Sequence, residues 1–215
     1  MFFGKEFNRK ASESRLVKAA KNNDIKTVRS LLQSGTDVNA KDRDGNTALM
    51  SAAHYSYTDI ALLLLAHNAD VNARNNDGST ALILSAFNRN TDIASALLAR
   101  GADVNAQNND GYTALILAAC NDVKTLAKLF VDKGAQVNAK NAAGDTALML
   151  AAACGYIDTA QMLLDSKANV HAQNKGGKSV FWFAQQSNKA DMIATIARAM
   201  NGAAAPKTPK NGGPK

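Results

Sequence analysis

The most restrictive feature of this sequence is a five-residue phrase that returns at a constant interval of 33 residues. It reads Gly-x-Thr-Ala-Leu in four copies and has diverged in a fifth; the copies begin at Gly45, Gly78, Gly111, Gly144 and Gly177. A second phrase, Val-Asn-Ala or Val-His-Ala, keeps the same interval and begins at Val38, Val71, Val104, Val137 and Val170. Because two separate phrases share one spacing, the copied unit is the whole interval. A period of this length predicts a solenoid.

The unit resembles the ankyrin repeat, in which Asp-x-x-Gly-x-Thr-Pro-Leu-His opens the first helix and Gly-Ala-Asp-Val-Asn-Ala follows the second. The resemblance covers residues 12–199 without an insertion between copies. It implies an all-α fold, an ankyrin-repeat solenoid of helix-turn-helix units with β-turn or hairpin tips. In the four full repeats Ala replaces the family's Pro, and an apolar residue replaces its His at Met50, Ile83, Ile116 and Met149. We therefore expect apolar packing where the family has a polar link between repeats.

The repeat register divides the chain into three parts. Residues 1–11 form an N-terminal extension, residues 12–201 form the ankyrin-repeat domain, and residues 202–215 form a Lys/Pro/Gly tail that we expect to be disordered. Within the domain we assign an N-terminal cap, four full repeats and a C-terminal cap, with bounds 12–43, 44–76, 77–109, 110–142, 143–175 and 176–201.

Short signals mark the ends of the predicted helices. A hydroxyl stands at the start of each first helix, where it accepts hydrogen bonds from free N–H groups; these residues are Thr47, Thr80, Thr113 and Thr146. We expect a positive φ at the end of each second helix; these positions are Gly35, Asn68, Gly101, Gly134 and Lys167. The acids of the turns are expected to accept hydrogen bonds from nearby backbone; they are Asp42, Asp44, Asp77 and Asp110.

The net charge of +7 is concentrated at the two ends of the chain. Residues 1–24 carry a surplus of three positive charges and residues 203–215 another three, which leaves one for the repeats between them. Within the N-terminal cap, we expect Lys18 and Lys21 to lie on a solvated outer side. A nucleic-acid-binding domain carries its basic residues on one face, so this distribution disfavours DNA or RNA as the partner of the repeats.

The sequence contains neither a membrane span nor an export signal that we can identify. No run of residues approaches the roughly 18 apolar residues that a transmembrane helix needs. Charged residues interrupt the first ten positions, where a secretory signal has its apolar stretch. We therefore predict a cytoplasmic protein, although an exported chain that had lost its signal would have the same sequence.

The residue types that carry enzyme chemistry do not cluster. His54, His67 and His171 occupy unlike positions in different repeats, and Cys120 and Cys154 occupy unlike positions in adjacent ones. Stacked helices lie about 8–10 Å apart, farther than a disulfide allows between Cα atoms. The recurring glycines match no phosphate-binding loop. We therefore predict no catalytic residue, no cofactor and no metal site, with both thiols reduced.

The residues that vary between repeats lie at the turn tips and on the solvent side of the first helices. The resemblance implies that these surfaces form a concave groove that binds other proteins. By register, the predicted partner-binding residues are Arg43, Asn46, His54, Tyr55, Arg74, Asn76, Phe87, Asn88, Asn109, Tyr112 and Asn121. The aromatic members fall on three consecutive repeats, and aromatic side chains with Arg nearby are common hot spots of interfaces. In the alternative interpretation, Phe87 packs between repeats and the tyrosines cover them.

These observations predict a non-enzymatic module that binds another protein in its groove and is monomeric on its own. The most concrete role is that of an inhibitor or protective binder of an enzyme. The alternative is a scaffold or tether whose basic ends contact an acidic membrane or nucleic acid.

Overall fold

The computed structural model describes residues 15–202; the predicted N-terminal extension and the tail beyond residue 202 lie outside these residues. Twelve helices follow one another in the described part of the chain: α1 (residues 15–21), α2 (Ile25–Gln33), α3 (Ala48–Tyr55), α4 (Thr58–Ala66), α5 (Ala81–Phe87), α6 (Thr91–Ala99), α7 (Ala114–Cys120), α8 (Lys124–Asp132), α9 (Ala147–Cys154), α10 (Ile157–Asp165), α11 (Val180–Gln186) and α12 (Ala190–Met200). Odd-numbered helices are the first helices of the repeats, and even-numbered helices are the second.

The helices stack by type. From α3 to α11 each first helix packs on the first helix of the next repeat, and from α2 to α12 each second helix packs on the next second helix. Paired alanines such as Ala118 and Ala119 are fully buried between the first helices, where small side chains allow close approach. The core is one continuous cluster along the stack. The predicted all-helical solenoid is thus confirmed, because no helix pair buries its apolar face without its neighbours.

The first helices begin as predicted. The hydroxyl of Thr113 accepts a hydrogen bond from the amide of Ile116 at 3.2 Å, and that of Ser179 accepts one from Trp182 at 3.2 Å. The equivalent threonines of the other repeats make the same bond. The apolar residues that replace the family's His are all buried in this turn of the helix, which confirms the expected apolar packing.

The tips between repeats are joined through backbone. In residues 15–202 the tips contain isolated β-bridges and no longer strand. The amide of Asn109 donates to the carbonyl of Asp77 at 2.9 Å, and the amide of Ala142 donates to the carbonyl of Asp110 at 2.8 Å. The same bond recurs on both sides of these repeats. Each tip is therefore held to the next tip as well as to its own helices.

The central Asn of Val-Asn-Ala is a clamp between repeats. The Oδ1 atom of Asn105 accepts from the amide of Gln136 at 2.7 Å, and its Nδ2 donates to the carbonyl of Gly134 at 3.2 Å. Asn72 and Asn138 make both bonds to their own following repeats. The last copy has His171 at this position, before the last helix pair, α11 and α12. The clamp explains why this phrase keeps the repeat period.

The second helices end in the left-handed conformation that the sequence predicted. The φ angle is 82° at Gly101 and 88° at Gly134, and two residues with side chains adopt the same conformation, Asn68 at 59° and Lys167 at 66°. A Cβ added at the equivalent glycines meets no atom within 4 Å. The strain at Lys167 therefore comes from its own backbone conformation and not from crowding.

Lys167→Gly is expected to stabilise the protein. Relief of the left-handed strain, about 1–2 kcal/mol, exceeds the extra entropy that Gly gains in the unfolded chain, about 0.4–1 kcal/mol. We expect a rise in melting temperature of about 2 °C, measured by circular dichroism. Asn68→Gly is the matched control and should give a smaller rise, because Asn tolerates this conformation. An equal or larger rise for Asn68→Gly would contradict the assignment of strain to the lysine.

A second left-handed position, which the sequence analysis missed, ends or follows the first helices. It recurs with the repeat period and is occupied by a glycine only once; its members are Asn23, Ser56, Arg89, Asp122, Gly155 and Asn188. A glycine at this position would have indicated a positive φ, but Gly155 is the only one; the other repeats carry residues with side chains here. This turn joins each first helix to its second helix.

Candidate functional site

A groove lies between the turn tips and the first helices of the first two full repeats. Its volume is about 290 Å³. The tips contribute Asp44, Asn46, Asn75 and Asp77 to its lining. The helices contribute Lys21, Met50, Ser51, His54, Tyr55 and Leu84. We call this surface the tip groove. Three of the eleven predicted partner-binding residues, Asn46, His54 and Tyr55, line it.

Two large aromatic side chains are exposed here: Tyr55, which lines the groove, and Phe87, which follows the lining residue Leu84 by about one helical turn. Tyr55 is 47% exposed and Phe87 is 55% exposed. The Tyr55 ring lies 4.8 Å from the His54 ring, edge to face, and stacks on Tyr57 with ring centres 5.8 Å apart. With more than half of its surface exposed, Phe87 is not packed between repeats as the alternative interpretation required. Tyr112 differs from both, because it is half-buried against the core.

Several predicted polar contact residues form hydrogen bonds between repeats. The Nδ2 groups of Asn76, Asn109 and Asn121 donate to carbonyls of the preceding repeat, those of Arg43, Asn76 and Phe87, at 2.9–3.1 Å. The Arg74 guanidinium donates to the carbonyl of Gln107 at 2.6 Å. These donors fix the spacing of the tips and first helices.

The polar residues nearest the aromatic rings are also hydrogen-bonded. The Nδ2 group of Asn88 donates to the carbonyl of Leu84 at 3.0 Å and lies 3.4 Å from Nδ1 of His54. Asn46 accepts from Nδ2 of Asn75 at 2.9 Å. Hydrogen bonds therefore hold in place the polar residues that surround the aromatic rings.

Lys21 was expected on the solvated outer side of the cap, and this expectation is wrong. It lies at the end of α1, lines the tip groove and forms an ion pair with Asp42, with 2.7 Å between Nζ and Oδ2. Burial opposes ionisation of Asp42, but hydrogen bonds from Lys21 and the Asn46 amide outweigh it and hold the pKa of Asp42 below its usual value. The same hydrogen bond raises the pKa of Lys21. The pair connects the cap to the first tip.

The expectation for the turn acids is correct for one residue of four. Asp42 accepts from the amides of Asp44 and Asn46 at 3.0 and 2.8 Å. At the same position later repeats carry Asn, which accepts in the same way. The carboxylates of Asp44, Asp77 and Asp110 stand two residues further along, where they accept no hydrogen bond from any described residue. The position within the repeat, and not the residue type, decides which side chain accepts hydrogen bonds from the amides of the turn.

The sequence analysis also missed an apolar row beside the groove. Leu84 lines the tip groove, and Leu117 and Leu150 occupy the same register position in the next two repeats, where each is half-buried. The first full repeat carries Ser51 at this position. The repeat alignment contained this signal, but a half-buried Leu and a fully buried Leu look alike in sequence.

The remaining reactive residues are dispersed. His67 caps the end of α4, and His171 lies in a tip. Cys120 and Cys154 are free thiols, and burial together with the nearby Cys154 raises the pKa of Cys120. Across residues 15–202 no group of three His, Cys, Asp or Glu side chains is placed to hold a metal ion. Over the same residues, no helix has the length and apolar character of a membrane span.

The stacked pairs, the left-handed helix ends and the linked tips define a helix-pair solenoid. A family model described as ankyrin repeats in three copies matches residues 16–108 and 100–174, which is most of the chain. The chain therefore belongs to the ankyrin repeat family. A search of curated proteins found no match. Ankyrin repeats are generally protein–protein interaction modules and are typically non-catalytic.

Proposed function

We propose that this protein is a non-catalytic module that binds a partner protein across the tip groove. The observation that carries the proposal is the exposure of Tyr55 and Phe87, at 47% and 55%, beside a groove lined by tips and first helices. Exposed aromatic side chains next to a recess are the usual anchors of protein interfaces. The adjoining predicted residues, among them Arg43 and His54, would surround these anchors.

The rigid frame supports the same proposal. The hydrogen bonds of Arg74, Asn76, Asn109 and Asn121 link each repeat to its neighbour, so the surface is organised before a partner arrives. Preorganisation lowers the entropy cost of binding. A standard interface needs about 800 Å² from each partner, an area that three or four repeats can supply.

The most concrete version of the proposal is inhibition or protection of an enzyme, with the module occupying the cleft of its partner. Because no chemistry by this protein is required, its effect follows from steric exclusion alone. We further propose that it acts in the cytoplasm as a monomer until it meets its partner. Its two free thiols suit a reducing compartment.

The test is capture of the partner from extracts of the native cell, followed by mass spectrometry. The native chain is compared with the triple variant Tyr55→Ala, Phe87→Ala and Tyr112→Ala. We expect the triple variant to lose at least about tenfold of the captured protein, because hot-spot aromatics each contribute more than about 1 kcal/mol.

The matched control is Leu62→Ala, which removes an apolar side chain that is 48% exposed but lies on a second helix. It should capture the same amount as the native chain. A chain truncated after residue 202 tests the tether alternative, which predicts loss of binding without the tail. Full retention of the partner by the triple variant would reject the groove as the binding face.

A further inference from the structure

The tip groove has an acidic edge of three exposed aspartates. Asp44, Asp77 and Asp110 occupy the same position in three consecutive repeats, and all three are exposed. Among residues 15–202, none of their carboxylates forms a hydrogen bond or an ion pair, whereas Asp42 nearby does both. Asp44 and Asp77 line the groove itself.

Three cations near this edge form their hydrogen bonds with groups other than these three carboxylates. Lys41 donates to the carbonyl of Arg74 at 2.8 Å, Arg74 donates to that of Gln107 at 2.6 Å, and Lys21 pairs with Asp42. Arg43 is exposed beside Asp44, but its equivalents in the next two repeats are the uncharged Asn76 and Asn109. Asp77 and Asp110 therefore lack the cationic neighbour along the chain that Asp44 has.

The acidic edge runs along an apolar row. Leu84, Leu117 and Leu150 are half-buried at one register position of the first helices, and Phe87 is exposed one turn further on. A ligand that lies across the repeats would meet carboxylates on one side and apolar side chains on the other. This combination favours an amphipathic, cationic segment.

The spacing restricts that segment further. Stacked helices are about 8–10 Å apart, so equivalent carboxylates recur at about this distance. A polyproline-II chain rises about 3.1 Å per residue with three residues per turn, so every third side chain lies on one face and about 9 Å from the last. Residues three apart would thus meet successive repeats.

We infer that the partner is recognised through an extended basic segment with Arg or Lys at every third position and apolar residues between. The basic side chains pair with Asp44, Asp77 and Asp110. The apolar side chains pack on the apolar row of Leu84, Leu117 and Leu150. This inference rests on the proposed function and adds the chemistry of the partner to it.

The test uses a fluorescein-labelled peptide of four Arg-Pro-Leu units and fluorescence anisotropy at about 50 mM salt, where screening is weak. The full chain is compared with the triple variant Asp44→Asn, Asp77→Asn and Asp110→Asn. We expect about tenfold weaker binding, since each exposed ion pair contributes a factor of about two or more. Binding to the native chain should also weaken as salt rises.

The charge-matched control is the triple variant Asp59→Asn, Asp92→Asn and Asp158→Asn, which removes three exposed acids from the first turns of second helices. It should weaken binding less than threefold, because it changes only the net charge. A peptide of the same composition with its four arginines contiguous should bind the native chain several-fold more weakly. Equal losses from the two triple variants, or equal binding of the two peptides, would overturn the inference.

The two proposals fail in different ways. The aromatic variant is the triple alanine variant, and the groove-acid variant is the triple variant at Asp44, Asp77 and Asp110. If the aromatic variant loses the captured partner and the groove-acid variant retains it, binding in the groove stands and recognition of a basic segment is rejected. If the aromatic variant retains the partner, the groove function itself is rejected, whatever the peptide does. Circular dichroism at 222 nm verifies that each variant is folded before binding is measured.

Discussion

Replacing Gly144 by Ala is expected to destabilise the protein by about 3 kcal/mol, measured by urea unfolding and far-UV circular dichroism. Part of this cost is conformational, because φ is 83° at this residue and a side chain there costs about 1–2 kcal/mol. The rest is steric. A Cβ at Gly144 would stand 2.6 Å from the backbone nitrogen of Lys175 in the next tip.

The backbone nitrogen of Lys175 cannot move away without weakening a hydrogen bond. The amide of Lys175 donates to the carbonyl of Ala143 at 3.0 Å, the bond that joins the two tips. Forcing atoms into a packed contact costs about 1–3 kcal/mol. Since the contact is between backbone atoms, no side-chain rotation relieves it.

Gly177→Ala is the matched control, because Gly177 has the same place in the last turn, with φ at 70°, but a Cβ there meets nothing within 4 Å. Its substitution should cost about 1 kcal/mol, from conformation alone. A difference of less than about 1 kcal/mol between the two variants would contradict the role of Gly144 in tip contact.

Phe130→Ala is expected to destabilise the protein by about 4 kcal/mol. Phe130 is the largest fully buried side chain in the described part of the chain and lies in α8. Removing such a ring loses its transfer free energy and leaves a cavity, with a usual cost of about 3–5 kcal/mol. The same unfolding experiment measures this loss.

The other repeats provide the control for this position. Leu64, Leu97 and Leu163 occupy the equivalent site, and all are fully buried. Phe130→Leu should therefore cost less than about 1.5 kcal/mol, since the fold accommodates Leu here in every other full repeat. If Phe130→Ala costs no more than Phe130→Leu, the ring is not held by the packing that the structure describes.

Features that depend on one repeat were predictable from the sequence. Thr113 caps its helix because a hydroxyl three residues before a free amide is a local arrangement. Gly134 and Lys167 end their helices because backbone conformation there depends on the residue and its immediate neighbours. The less obvious left-handed position at Ser56 and Arg89 was missed because these side chains conceal the conformation.

Features that depend on contacts between distant parts of the chain were predicted less well. Lys21, in α1, lines the groove because it forms an ion pair with Asp42, which lies beyond α2 in the first tip. Asn76 and Asn109 belong to the list of predicted contact residues, and their amides donate to the preceding tip. Position in a repeat placed three of the eleven predicted residues in the groove lining, and it does not indicate which polar groups are already bonded.

The sequence by itself determined the period, the helix pairs, the starts of the first helices, the ends of the second helices and the all-helical solenoid, because each of these follows from residue types at fixed separations along the chain. Tertiary structure alone decided which groove residues have free polar groups and which large side chains stay exposed. Asp42 and Asp44 illustrate the reason. Both are acids of one turn, and only the packing of α1 against the first tip gives one of them a cation and leaves the other to face solvent.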